Sequence, residues 1–405
     1  MIKVIKKDNT LEDFDCQKII NACKKASSRA LDELSNDDYI KICNAVMDYI
    51  DEDEFTDGIP VETIHAIVEH TLLELYPKSG EAYQQYRNYK KDFVHMMDDV
   101  YIKSQGIRYI GDVSNANTDS TMISTQRSLI YGELNKNLYD KFFLNVEERQ
   151  AIRDGYIYIH DKKDRLDSIN CCLFDMANVL KNGFEMGNIH YNEPKTLDVA
   201  FDVISDVTMS AASQQYGGFT IPRVDTILAP YAEKSYKKYY QEYYDIMNDI
   251  ETTDGVVLDC MSNVDFDKNA DNYATKKVYR DFEQGFQSWE MCFNSVGSSR
   301  GDYPFIAISF GIDTSKWGTM ASEVALKVRM NGQGKKGYKK PVLFPKLTFL
   351  YDENLHGVGK PLEWLFDISI DCSSKCMYPD YLSLTGEGYI PSIYKKYGKV
   401  ISLMG

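Results

Sequence analysis

Apolar and polar side chains alternate over Ile2-Lys3-Val4-Ile5-Lys6 before Lys7-Asp8-Asn9, which predicts a short strand running into a turn. From Asp15 the period changes. Ile19, Ile20, Ala22, Cys23 and Ala26 recur at helical spacing, and Asp15 stands where a helix takes a side-chain acceptor for its first free amides. The chain therefore opens on a strand, a turn and a helix. Tyr83, Tyr86 and Tyr89 recur at the spacing of a helix-packing face, and the first domain is predicted to close near Met97, giving domains of residues 1–97 and 98–405.

The second domain opens with two amphipathic helical stretches before residue 154. Gly155-Tyr156-Ile157-Tyr158-Ile159-His160-Asp161 then alternates aromatic and β-branched residues and ends in a polar pair, the pattern of a strand that delivers its C-terminal end to a site. Glycines, asparagines and Pro194 between Lys181 and Thr196 predict a long loop. Tyr231 to Phe293 reads as largely helical, with acidic, tyrosine-rich faces such as Tyr236 to Tyr244 serving surface and packing. Asn331 to Lys340 is a flexible basic loop, open to a triphosphate or simply solvated, before a strand at Val342-Leu343-Phe344. Leu365 to Cys376 is a helix.

Composition narrows the class. The chain has 405 residues, more than one domain usually holds, and 43% are hydrophobic, enough for a sizeable core. Against 46 basic residues stand 61 acidic ones, a net charge of -15, which argues against a nucleic-acid partner because phosphate-backbone binding needs a basic face. Nine cysteines, at 16, 23, 43, 171, 172, 260, 292, 372 and 376, are scattered rather than arranged as a disulfide framework, so a reducing, cytoplasmic compartment is expected. The charged N-terminus is no signal peptide, and no apolar run approaches the roughly 20 residues that cross a bilayer.

Two places carry candidate chemistry. Ser168-Ile169-Asn170-Cys171-Cys172-Leu173-Phe174-Asp175-Met176 holds adjacent cysteines among apolar residues. Vicinal side chains leave little room for usual disulfide geometry, so the pair reads as reactive, although an isolated free cysteine is ordinarily a small buried hydrophobe. Neighbours on a strand point to opposite faces, so only one of the two meets a ligand. In Ser210-Ala211-Ala212-Ser213-Gln214-Gln215-Tyr216-Gly217-Gly218 small residues and a double glycine let backbone approach a ligand and present amides to phosphate or ribose oxygens. Cys372 and Cys376 stand four apart, but zinc takes four ligands and no second pair lies near, so no metal site is expected.

These stretches, in this order, resemble the anaerobic, oxygen-sensitive ribonucleoside-triphosphate reductase family. Asn115-Ala116-Asn117, Thr125-Gln126-Arg127, Gly155 to Asp161, Asn170-Cys171-Cys172-Leu173, Asn182 to Asn188, Pro194-Lys195-Thr196, Ser213 to Gly218, Tyr303-Pro304-Phe305, Phe344-Pro345-Lys346 and Lys375 to Asp380 carry the resemblance over nearly the whole chain. Cys376 stands where the family usually has arginine. The N-terminal stretch resembles an ATP-cone, with Lys7 in place of the common arginine and Asn9 in place of the common glycine. Lysine still meets phosphate as a point charge, and asparagine tolerates a left-handed turn.

The resemblance implies an α/β fold: a small, mostly helical ATP-cone with short strands, followed by the first half of a ten-stranded α/β barrel of the glycyl-radical reductase type. It implies allosteric binding of ATP and dATP by Val4, Lys6, Lys7, Asp8, Lys18 and His65. It also implies a substrate pocket for ribonucleoside triphosphates formed by Asn170, Ser213, Gln215, Tyr216, Gly217 and Gly218, and catalysis by Cys171, with Cys172 second, as hydrogen donor to carbon 2′. A specificity effector site at the interface of a homodimer falls near Asn188 and Lys195. Formate or a thiol would be the reductant. In the family a Met-Gly pair like Met404-Gly405 is followed by the finger-loop cysteine that becomes a thiyl radical. The reading therefore expects an N-terminal portion, inactive by itself, with the thiyl cysteine, zinc site and glycyl radical supplied by a complementing C-terminal polypeptide. A radical-SAM activating enzyme with an iron-sulfur cluster and S-adenosylmethionine is the further partner. Two rivals stand beside it: a glycyl-radical enzyme of the pyruvate formate-lyase type, whose adjacent cysteines sit on the finger loop, and a non-enzymatic nucleotide-sensing relic.

Overall fold

The computed structural model describes residues 2–50, 57–111, 119–166, 169–253, 266–295, 301 and 303–398; Asn115-Ala116-Asn117, Ser168, Cys260 and Ile401 to Gly405 lie outside the described residues. The chain divides into two compact units, Met1–Ile102 and Lys103–Gly405.

The first unit runs β1 (Lys3–Ile5), β2 (Leu11–Asp13), α1 (Cys16–Ala30), α2 (Asn36–Asp48), β3 (Ile59–Pro60), α3 (Val61–Leu75) and the start of α4 (Pro77–Tyr109). β1 lies between β2, antiparallel, and β3, parallel. Asn9 takes the left-handed conformation at φ 61° in the turn from β1 to β2, as its short polar side chain permits. Asp15 accepts from the Gln17 amide at 2.9 Å and starts α1 where the sequence placed it. Val4, Ile19, Cys23, Ile42, Val46, Ile59, Val68 and Leu72 close one core with Tyr83. Of the three tyrosines assigned to packing only Tyr83 is buried; Tyr86 lies under the Arg29 guanidinium, 3.9 Å from its ring centre, and Tyr89 is exposed. Met97 sits inside α4, close to the division between the two units. The sulfurs of Cys16 and Cys43 are bonded, with Cα atoms 6.2 Å apart, inside the disulfide range.

The second unit holds α5 (Ile123–Phe142), α6 (Val146–Arg153), β4 (Cys172–Leu173), α7 (Met176–Asn182), β5 (Phe184–Met186), β6 (Ile189–Tyr191), α8 (Leu197–Ala212), β7 (Phe219–Ile221) and α9 (Val224–Thr253). It continues with α10 (Phe266–Phe293), β8 (Ile306–Phe310), α11 (Lys316–Asn331), β9 (Lys346–Tyr351), α12 (Glu353–His356), α13 (Glu363–Cys376), β10 (Asp380–Ser383) and α14 (Tyr389–Tyr397). Five strands form one parallel sheet in the order β10-β9-β8-β7-β4. Each new strand is added on the same side. With the right-handed crossover that parallel strands nearly always take, steady addition on one side puts every connecting helix on one face, unlike a doubly wound sheet whose order reverses.

The side chains obey that geometry. Phe219, Ile221, Ile306, Ile308, Phe310, Leu347 and Phe349 join one apolar cluster with residues of α8, α9, α10, α11 and α13. The residues between them, Thr220, Ala307, Ser309 and Thr348, point the other way, and the register sets Thr220 beside Ala307 and Ser309 beside Thr348. One face is a helix-packed core; the other carries these small side chains and, at β9 and β10, a second apolar cluster in which paired Leu350 and Leu382 meet Ile390, Ile393 and Tyr394 of α14. The tyrosine-rich helices are laced together: Tyr236 donates to Asp271 at 2.7 Å, Tyr239 to Asp281 at 2.8 Å and Tyr273 to Glu242 at 2.7 Å.

Three expected elements are corrected. Gly155 to Asp161 is not a strand: Gly155 at φ 81° ends α6, the Tyr156 amide turns back to the Ala151 carbonyl at 2.9 Å, and Tyr156 and Tyr158 are exposed. Lys181 to Thr196 is no long loop, because β5 and β6 pair around Gly187-Asn188, with Gly187 at φ 62° supplying the first position of a two-residue hairpin turn. Val342 to Phe344 is not a strand either. Pro345 has no amide for a ladder, so pairing begins at Lys346 beside Ala307.

Candidate functional site

The adjacent cysteines sit where β4 joins β7. Ile169 pairs with Gln215 and Cys172 with Phe219, so two residues, Asn170 and Cys171, face three, Tyr216, Gly217 and Gly218. That is a bulge, and bulges re-aim side chains. The Gly218 amide donates to Cys171 Sγ at 3.2 Å, Cys171 donates to Asn170 Oδ1 at 3.4 Å, and the Cys172 amide donates to the Gly218 carbonyl at 2.9 Å. Gly217 is required here, since a Cβ on it would lie 2.5 Å from Cys171 Sγ and 2.8 Å from the Cys171 amide nitrogen.

The two thiols face opposite ways. Cys172 shares the Phe219 side of the sheet and packs against the apolar cluster, where burial, more than the neighbouring thiol, pushes its pKa up. Cys171 is exposed and, by alternation, lies on the side of Thr220 and Ser309. Cys171 is therefore accessible from the face opposite the helix-packed core, and Cys172 is packed against that core.

Of the other predicted pocket residues, the structure brings Asn170, Gln215, Tyr216, Gly217 and Gly218 around Cys171. Gln215 is buried, donates to the Gly217 carbonyl at 3.2 Å, and leaves its Oε1 without a partner among the described residues. The Tyr216 amide donates to the Ile169 carbonyl at 3.0 Å. Ser213 is not brought in: its hydroxyl donates back to the Ser210 carbonyl at 2.7 Å. Asn188 tips the β5–β6 hairpin and Lys195 precedes α8, both exposed, and neither hydrogen-bonds the cysteine strand among the described residues. Sequence reasoning did not place Thr220 and Ser309 on the Cys171 side, because that follows from register and not from any motif; both are buried, and the Ser309 hydroxyl accepts from the Arg223 amide at 3.0 Å.

The first unit has a cavity of about 160 Å³ lined by Val4, Lys6, Glu12, Lys18, His65 and Tyr83 among others. Four predicted nucleotide residues, Val4, Lys6, Lys18 and His65, therefore meet in one place. Glu12 holds both lysines, pairing with Lys6 at 2.6 Å and also with Lys18. His65 Nδ1 lies 2.7 Å from the Tyr83 hydroxyl; burial lowers the histidine pKa and raises that of the tyrosine. Lys7 and Asp8 are directed elsewhere. Lys7 pairs with Glu62 at 2.8 Å, and Asp8 accepts from the Thr10 hydroxyl at 2.7 Å and amide at 3.1 Å, which hold its carboxyl below the usual range. Glu12 and Tyr83 were not anticipated as lining residues; the alternation Leu11-Glu12-Asp13 on β2 was the available signal for Glu12.

The remaining motifs are spent on structure. Phe305 and Phe344 meet with ring centres 5.1 Å apart, and buried Arg329 binds Glu290 at 2.7 Å and the Pro345 carbonyl at 2.6 Å beneath the Tyr378 ring. Cys372 and Cys376 each donate to a carbonyl of α11, those of Leu326 and Arg329, both at 3.6 Å. The basic loop closes on itself, Gln333 and Lys340 exchanging amide hydrogen bonds at 2.9 Å. Among the described residues no group of three His, Cys, Asp or Glu could hold a metal ion, and no helix is long and apolar enough to cross a membrane.

Comparison with known proteins adds a family pattern to this geometry. The family model described as anaerobic ribonucleoside-triphosphate reductase matches residues 114–405, and that of the ATP cone domain matches residues 2–92. The anaerobic ribonucleoside-triphosphate reductase of Haemophilus influenzae is 31% identical over 393 residues, 94% of this chain and 52% of its own. The enzyme of that name from Enterobacteria phage T4 is 34% identical over 277 residues, 66% of this chain and 41% of its own, and that of Escherichia coli 29% over 390 residues, 94% and 51%. The chain spans about half the length of the curated relatives it matches. A solved structure of the anaerobic ribonucleotide reductase from Thermotoga maritima in complex with dATP and CTP is 15% identical, with a TM-score of 0.44 over 72% of this chain and 49% of that one.

Proposed function

Because the chain belongs to the anaerobic ribonucleoside-triphosphate reductase family and carries an ATP cone domain, we propose that Cys171 serves ribonucleotide reduction and that the first unit senses nucleotides. The observation that carries the first half is the bulge: Gly217 and Gly218 bring bare backbone against Asn170 and Cys171 on the face of a parallel sheet away from its helix-packed core. The substrate is a ribonucleoside triphosphate and the product its 2′-deoxy form. Replacing the 2′-hydroxyl by hydrogen releases water and consumes two electrons, which formate or a thiol supplies. A radical that takes the 3′-hydrogen opens the route.

This chain's residues then have distinct tasks. Cys171 gives a hydrogen atom to carbon 2′, while Cys172 packs. Asn170 orients the Cys171 thiol through its Oδ1, and the Gly218 amide holds the sulfur from the other side. Gln215 braces the bulge through the Gly217 carbonyl, Tyr216 lines the approach, and Ser213 stands at its edge. Holding the thiol within about 3.5 Å of the reacting carbon is a large part of such catalysis.

In the first unit, residues 1–97 bind ATP or dATP, with Lys6 and Lys18 on the phosphates and Val4 and His65 on the nucleoside, while Lys7 and Asp8 swing in from the strand end. Residues 98–405 form the catalytic part. Asn188 and Lys195 contribute to a specificity effector site in a homodimer. A radical-SAM activating enzyme is the remaining partner, and the cytoplasm is the compartment.

The test is anaerobic deoxynucleotide formation by the chain complemented in trans with the remaining length of a relative. Cys171→Ser should abolish turnover and keep substrate affinity, since an O–H bond is too strong to yield its hydrogen to a sugar radical. Cys172→Ser should retain activity. An active Cys171→Ser beside an inactive Cys172→Ser would move the role to Cys172, and product from both would remove it from this pair.

A further inference from the structure

The cavity of the first unit is too small for what the proposed function puts in it. At about 160 Å³ it falls below the roughly 300–1,000 Å³ of sites for molecules of that size. Its cationic wall is also spoken for, with Glu12 paired to both Lys6 and Lys18. A triphosphate therefore has to displace Glu12 and widen the pocket. The wall that bears Lys18 is the first turn of α1, which begins at Cys16 and is capped by Asp15. Cys16 is bonded to Cys43 on α2, and α2 contributes no residue to the cavity lining.

We propose that the Cys16–Cys43 pair is a redox-sensitive brake on nucleotide binding: oxidised, it ties the Lys18-bearing turn to α2 and holds the pocket narrow, and reduced, it lets that turn move and admit the nucleotide. This rests on the reading of the first unit as a nucleotide sensor. Cys16 is half-buried and Cys43 buried, which orders the chemistry. A low-molecular-weight disulfide is the oxidant. The Cys16 thiolate attacks it, forming a mixed disulfide and expelling one thiol; Cys43 then attacks the Cys16 sulfur, its proton leaving with the second thiol. Two protein thiols lose two electrons and one small disulfide gains them. A dithiol reverses both steps.

The experiment uses the full chain, prepared once with excess dithiol and once with oxidised glutathione, the Cys16–Cys43 link being verified by peptide mapping. ATP and dATP affinities are measured by calorimetry on each form. The oxidised form should bind about tenfold more weakly, an effect of the size that separates adjacent decades of affinity. Hydrogen exchange over residues 15–20 should be slower in it. Cys16→Ser and Cys43→Ser should bind like the reduced chain whatever the treatment. Equal affinity of the two forms with the link in place overturns the proposal, as does failure of the link to form, or a redox effect that persists in Cys16→Ser. Absence of binding in the reduced chain and both serine variants sinks the sensor reading itself, and the brake with it.

Discussion

Replacing Gly217 by alanine tests the bulge on which the cysteine site is built. The added Cβ would lie 2.5 Å from Cys171 Sγ and 2.8 Å from the Cys171 amide nitrogen. No real Cβ sits that close to backbone, so the 170–171 or 216–218 segment has to shift, and overpacking of this kind costs about 1–3 kcal/mol. Gly106, inside α4 with nothing within 4 Å of its Cβ position, is the matched control: there alanine should stabilise by about 0.5–1 kcal/mol through helix propensity. Urea unfolding followed on the second unit reads the cost, and iodoacetamide labelling of native protein reads the displacement of Cys171, whose Gly218 amide contact at 3.2 Å should be lost. Gly217→Ala as stable as the parent, with Cys171 labelled at the parent rate, would refute the close approach and with it the argument for the site.

Native-state alkylation at mildly alkaline pH should modify Cys171 well before Cys172, whose thiol is half-buried with its pKa raised; equal rates by mass spectrometry would contradict the assignment of faces. Glu290→Gln leaves the buried Arg329 guanidinium without its counter-ion and should cost about 3–5 kcal/mol in urea unfolding, whereas a change under about 1 kcal/mol would mean the pair is solvated. His65 has its pKa depressed by burial, so the unfolded chain binds a proton before the folded one does. Its contribution to the first unit is therefore present above the unfolded value of about 6.5 and is lost as pH falls toward the depressed one, and His65→Gln should flatten that acid limb of the melting profile.

How much of this the chain announces depends on the range over which each signal acts. The Asp15 cap, the turn at Asn9 and the helix ending at Cys376 were legible because capping, turn conformation and helical period are settled within a few residues. Val342 to Phe344 failed for a reason the sequence did carry, since Pro345 has no amide for a ladder; Gly155 to Asp161 failed for another. Alternation describes a segment that could pair, and a strand exists only where a neighbour presents a free ladder, which a local pattern does not report. Gly187-Asn188 was different: the hairpin signal was present and was read as loop composition.

The site shows the same division more sharply. Vicinal Cys171 and Cys172 could be singled out from residue type, and strand alternation said that one of them faces a ligand. Which one required the register. Only once Cys172 is set beside Phe219, and Phe219 beside Ile306, does the apolar run Phe219, Ile306, Ile308 and Leu347 show which face the helices cover. Thr220, Ala307, Ser309 and Thr348 then fall on the other side with Cys171. A slip of one residue at β4 would exchange the two thiols. The extra residue in Tyr216 to Gly218 makes that slip a live alternative for the chain, and the glycine at 217, the one residue type whose missing Cβ clears both Cys171 atoms, is what admits the observed register. The reactivity of a single cysteine is thus fixed by a glycine 46 positions away.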